Sequence, residues 1–69
     1  MTTHQMQGKW TELRGAIRER WGRITDSDLA VIAGKRDQLI GILQQRYDSS
    51  KEEAERHVDD FARRILGKH

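Results

Sequence analysis

Cysteine and proline are both absent from this 69-residue chain. Without cysteine there is no disulfide framework and no thiolate to act as nucleophile or metal ligand, a composition that fits a reducing compartment. Without proline, glycine is left as the main helix stop. Long apolar runs are missing too, and nothing approaches the ~20 residues that cross a bilayer. The opening Met1-Thr2-Thr3-His4-Gln5 has neither the basic lead nor the apolar stretch of a secretory signal. A soluble cytoplasmic protein with no membrane partner is the expectation.

Apolar residues make up only 35% of the chain and charged residues another 35%, which raises the question of disorder. Periodicity answers it: the apolar residues fall into helical stripes, as in a folded all-α domain. At this length there is room for one small core, and burial nearly cancels the entropy of ordering. Marginal stability, or support from self-association, follows.

Chemistry-bearing motifs are equally scarce. There is no G-x-G-x-x-G, P-loop or H-E-x-x-H. His4, His57 and His69 have no metal-binding helical spacing between them, and Ser49 and Ser50 have no base at a suggestive distance. Asp59 and Asp60 are adjacent, so on a helix they diverge by about 100° and cannot share a proton or a metal. No catalytic, cofactor or metal residue and no small-molecule substrate is therefore expected, and the reading is non-enzymatic.

The strongest pattern is Trp10, Leu13, Ile17 and Trp21, a stripe about 80° wide on a helix spanning about Gln7 to Trp21. Residues 1–6 read as a flexible N-terminus and 7–67 as a single helical domain. Gly22 is expected to end the first helix in a left-handed conformation. Thr25 and Asp28 have capping-box spacing and open a second helix over about Asp26–Ala33, with Leu29, Ile32 and Ala33 facing inward and Gly34 as its stop. A continuous helix through Gly34 is the alternative. The third helix, about Lys35–Tyr47, carries Leu39, Ile40, Ile42, Leu43 and Tyr47 over about 160° of its circumference, an arc that suits a central element. The fourth, about Lys51–Leu66, opens on Ser50 and Glu53, buries Ala54, Val58, Phe61 and Ile65, and is closed by Gly67.

Both tryptophans read as core, with Trp21 at the helix end open to partial exposure. Lys9, Arg14, Arg18, Arg20 and Arg23 flank their stripe, so the segment holds five basic residues against Glu12 and Glu19. Either these side chains lay their stems over the edges of a buried stripe and keep their heads in water, or they form a contact surface for a protein partner or nucleic-acid phosphates. Elsewhere the chain has eight basic and nine acidic residues, so a phosphate-binding surface would be local. Glu52–Arg56, Asp59–Arg63 and Asp60–Arg64 are i,i+4 pairs that mark a solvated face. Arg46 falls inside the apolar arc of the third helix. It either pairs with terminal carbonyls or reaches an acid on the fourth helix.

Trp10, Leu13, Gly15, Trp21-Gly22, Thr25-Asp26, Asp28-Leu29, Ile32, Gly34-Lys35-Arg36-Asp37-Gln38-Leu39, Gly41, Gln45-Arg46-Tyr47, Ala54-Glu55 and Val58 together resemble the CsbD-like family of bacterial general-stress-response proteins, in particular its YjbJ-like branch. The resemblance covers about residues 8–61. It implies a small four-helix domain made of two roughly orthogonal helical hairpins, SAM-domain-like, expressed under stress or in stationary phase. It carries over no catalytic or ligand-binding residue. Asp48 stands where the family usually has glycine after Arg-Tyr, which implies a strained turn before the fourth helix.

Overall fold

In the computed structural model, which describes residues 2–66, five helices follow one another, and no strand occurs among the described residues. They are α1 (Thr3–Gly8), α2 (Trp10–Arg20), α3 (Asp26–Ile32), α4 (Arg36–Tyr47) and α5 (Lys51–Leu66). Gly67, expected to close the last helix, and His69 lie outside the described residues.

The architecture is all-α as the periodicity implies, with one helix more than the four expected. The extra one, α1, occupies the segment expected to be a flexible lead. Thr2 and Gln5 form a capping box: the Gln5 N–H donates to Thr2 Oγ1, and the Thr2 N–H donates to Gln5 Oε1. A six-residue helix is too short to persist alone. A buried side chain and a hydrogen bond to the start of α4 hold it. Met6 is fully buried, and Thr3 Oγ1 accepts the Arg36 N–H at 3.2 Å, capping a neighbouring helix from a distance of 33 residues.

The helix expected over Gln7–Trp21 is accordingly broken at Lys9 and reduced to Trp10–Arg20. It ends without the left-handed glycine anticipated at Gly22. Trp21 itself turns extended, and Gly22 has no positive φ. The turn is closed by the Ile24 N–H donating to the Trp21 carbonyl at 3.0 Å. That bond carries Ile24 into the core, where it is 1% exposed.

The start signals of α3 are realised, and Leu29 and Ile32 face inward as expected, but Ala33 is exposed because it leaves the helix as its left-handed cap. The Asp28 N–H donates to Thr25 Oγ1 and the Thr25 N–H to Asp28 Oδ2, each at 3.1 Å. The helix stops at a left-handed pair, Ala33 (φ 46°) and Gly34 (φ 79°), so the chain does not run on into α4. Gly34 is needed here for space as well as for φ. A Cβ at this position would lie 3.2 Å from Gln7 Cα, where α1 crosses the joint.

Helix α4 is the axis of the molecule. Leu39, Ile40, Ile42 and Leu43 are all buried, and α4 packs against α1, α3 and α5. Its breadth of apolar surface requires several neighbours, and the fold supplies three. It ends at Asp48, whose left-handed conformation (φ 54°, ψ 39°) is the strained turn implied by the missing glycine. Helix α5 starts on a third capping box, Ser50 with Glu53. Ala54, Val58 and Phe61 are buried as expected. Ile65 is not: it is 44% exposed, and Ala62 takes the inward position in the last turns. The α5 stripe outruns the length of the core it covers.

Candidate functional site

The basic residues around the tryptophan stripe are separated by the fold. Arg18 lies on the exposed face of α2, and its Nη1 donates to Asp26 Oδ1 on the first turn of α3. Arg20 is half-buried, with its guanidinium 5.6 Å from the Trp21 ring centroid and Nη2 3.5 Å from Asp60 Oδ2 of α5. Arg23 binds the end of α4. Its Nη1 donates to the Arg46 carbonyl at 3.2 Å, its backbone N–H donates to the Tyr47 hydroxyl at 3.1 Å, and its guanidinium stands 5.5 Å from the Tyr47 ring centroid. A cation beside the carbonyl end of a helix is electrostatically favoured. These three arginines join elements of the fold, each with its charge partly spoken for. Lys9 and Arg14 are exposed and make no ion pair among the described residues.

The tryptophans reverse their expected order. Trp21, at the helix end, is 6% exposed and tilts against Phe61 with ring centroids 5.0 Å apart. Trp10 is the half-buried one. It lines a shallow groove between α2 and α3 of about 280 Å³ together with Arg14, Asp26, Leu29 and Ala30. Val31, one residue further along α3, is 59% exposed. The groove thus brings together an aromatic ring, an unpaired guanidinium and the apolar side chains of Leu29 and Ala30. A wider groove of about 470 Å³ lies on another side, lined by residues that include Trp21, Tyr47, Glu53 and His57.

Arg46 has neither of its expected partners. It reaches Asp28 at the start of α3, with Nε 2.9 Å from Oδ2 and Nη2 2.7 Å from Oδ1, a two-pronged pair. These hydrogen bonds, with the Thr25 N–H, hold the Asp28 carboxyl down to about 2, burial opposing them. Asp28 thus caps α3 and ties it to the far end of α4. The signal missed was that a capping-box acid keeps a second carboxylate oxygen free for an arginine.

On α5, Asp60 accepts from Arg63 (3.2 Å) and lies 3.8 Å from Arg64 Nε. Asp59 leaves its expected partner Arg63 and takes Arg36 of α4 at 3.0 Å. The hydrogen bond from Arg63 lowers the Asp60 carboxyl, and the Ser50 N–H lowers that of Glu53. The carboxylates therefore stabilise helix starts and join helices. No group of three potential metal-ligating side chains occurs among the described residues.

With these caps and cross-links in view, the comparison with known proteins is decisive. The model of the CsbD-like family matches residues 4–56. The chain belongs to the CsbD-like family. It is 42% identical to the UPF0337 protein YjbJ of Escherichia coli strain K12 over 64 residues, which cover 93% of each chain. It is 44% identical to the YjbJ protein of Salmonella typhimurium, over 93% of this chain and 91% of the relative. A UPF0337 protein of Pectobacterium atrosepticum is 50% identical over 58 residues, 84% of each chain. The family match starts at His4, inside α1, so it takes in most of the short helix as well as the region carrying the sequence resemblance. No helix of the described residues is long and apolar enough to cross a membrane.

Proposed function

We propose that this CsbD-like chain is a non-enzymatic, cytoplasmic stress-response domain that works by binding a protein partner, a second copy of the chain included. In this reading the helices form two crossed hairpins in the SAM-domain-like manner. The observation that supports it best is the α2–α3 groove, where half-buried Trp10 stands beside Arg14, a cation with no ionic partner among the described residues. Aromatic and arginine side chains at a partly desolvated edge are the usual anchors of protein interfaces. A partner segment presenting an apolar side chain next to a carboxylate fits this pairing.

The alternative is a nucleic-acid-associated protein using Lys9, Arg14, Arg18, Arg20 and Arg23. It is weakened by the intramolecular engagement of Arg18, Arg20 and Arg23. Affinity capture from stressed cells, run beside an Arg14→Glu/Arg18→Glu double variant, tests the main reading. A protein held by the wild type and lost from the variant supports it, and an identical set of captured proteins removes it. Mobility-shift binding that falls steeply with salt would favour the alternative.

A further inference from the structure

We propose that α1 is an exchangeable arm, and that two copies of this chain form a closed dimer in which each α1 docks on the α4 of the other. The idea gives a structural form to the self-association included in the reading above, and it uses a surface separate from the α2–α3 groove.

The pattern of the sequence favours a helix that the fold does not make. In an uninterrupted helix Met6, Trp10, Leu13 and Ile17 would share one stripe about 60° wide, at 100° per residue. The native chain departs from that helix at a single residue. Lys9 takes φ −121° and ψ 21° and offers α2 no side-chain cap. Its N–H is divided between the Gln5 and Met6 carbonyls, each at 3.3 Å, the long end of hydrogen-bond range. Glu12 and Leu13 donate to the Lys9 carbonyl, but the Trp10 and Thr11 amides have no helical acceptor once the ladder is broken there. Straightening Lys9 would restore those bonds and give one helix from Thr3 to Arg20.

What opposes straightening is the burial of Met6 and a small set of contacts that α1 makes with the α3–α4 joint and the start of α4. Met6 is fully buried, Thr3 Oγ1 caps the Arg36 N–H, and Gln7 lies closely over Gly34. None of these contacts depends on α1 and α4 belonging to the same chain. An α1 extended from a second copy can make all of them, while both copies regain the helical bonds lost at Lys9. Exchange of an identical element across a short hinge is a low-cost route to a two-fold dimer.

The test is the molecular mass of the full chain by light scattering, after refolding at micromolar and at millimolar concentration. The expected result is a monomer in the dilute sample and a dimer in the concentrated one that persists on dilution. A sample refolded from mixed isotope-labelled and unlabelled chains should then show intermolecular nuclear Overhauser effects from Thr3 to Arg36 at the start of α4. Gly8→Ala, whose added Cβ meets nothing within 4 Å, converts a helix-end glycine into a helix-interior alanine on opening. It should raise the dimerisation constant by up to about fivefold per chain, about twenty-five-fold for the two chains together. Thr11→Pro is tolerated in the first turn of α2 but not inside a continuous helix, and should suppress the dimer. Arg14→Glu should leave it unchanged. A monomer at every concentration, a dimer lacking those cross-chain effects, no response to Gly8→Ala, or loss of the dimer in Arg14→Glu would each overturn the exchange. The last result would move self-association to the α2–α3 groove without touching the partner-binding reading itself.

Discussion

Asp26 and Asp28 stand two residues apart on the first turn of α3, and each is held by an arginine, yet the two pairs differ in kind. The Asp26 side chain is 85% exposed and meets one nitrogen of Arg18. The Asp28 side chain is 9% exposed, caps its own helix and grips Arg46 with both oxygens. An exposed pair exchanges its attraction for hydration and side-chain entropy at near break-even. A shielded carboxylate with every oxygen occupied has no such exchange, and its loss leaves donors stranded. Closeness of opposite charges is thus a poor guide to their contribution, whereas the number of hydrogen bonds that a carboxylate has given up to water is a good one.

Substitution separates the two sites. Asp28→Ala should cost about 2–4 kcal/mol, the sum of a lost cap and lost charge-assisted hydrogen bonds, read from denaturant unfolding. Acid sharpens the same contrast. Because the folded state holds Asp28 at about 2, below the ordinary 3.8, its stabilising contribution is complete above about pH 4 and disappears as the pH falls towards 2. The difference in melting temperature between wild type and Asp28→Asn should therefore stay constant from neutrality to about pH 4.5 and shrink below it. A third aspartate extends the comparison with the opposite sign. Asp48 is left-handed at the α4–α5 joint, so Asp48→Gly should stabilise the domain by about 0.5–1 kcal/mol in the same unfolding measurement. Smallest of all, Asp26→Ala should change stability by less than about 0.5 kcal/mol, and the change should vanish in high salt. Equal costs for Asp26→Ala and Asp28→Ala would break the comparison.

Much of this was legible in the residues. Thr25 with Asp28 and Ser50 with Glu53 announce their helix starts because a capping box is a local event, closed within four residues. The central place of α4 follows from the width of its apolar arc. The failures are non-local. Helix α1 carries the same local signal in Thr2 and Gln5, but its survival depends on the burial of Met6 and on Thr3 meeting Arg36 of α4, 33 residues away. Arg46 looked misplaced inside an apolar arc because its partner lies 18 residues upstream, on an element whose approach only the fold defines. Gly22 misled for a different reason: Trp21 and Ile24 both had to turn inward, and an extended turn achieves that where a left-handed cap does not. As for the candidate site, periodicity placed the basic residues beside the tryptophan stripe. It did not reveal which of them the fold would engage with its own carboxylates and carbonyls.

The unequal shielding of the two indoles equips the molecule with a pair of optical reporters. Trp21, beside Phe61 and under a guanidinium, should emit at short wavelength and resist acrylamide, while Trp10 should emit further to the red and be quenched. A binder seated between α2 and α3 would shift only the red component, and loosening of the interior only the blue one. Occupancy and integrity are therefore readable as two separate colours of a single spectrum, with no label added.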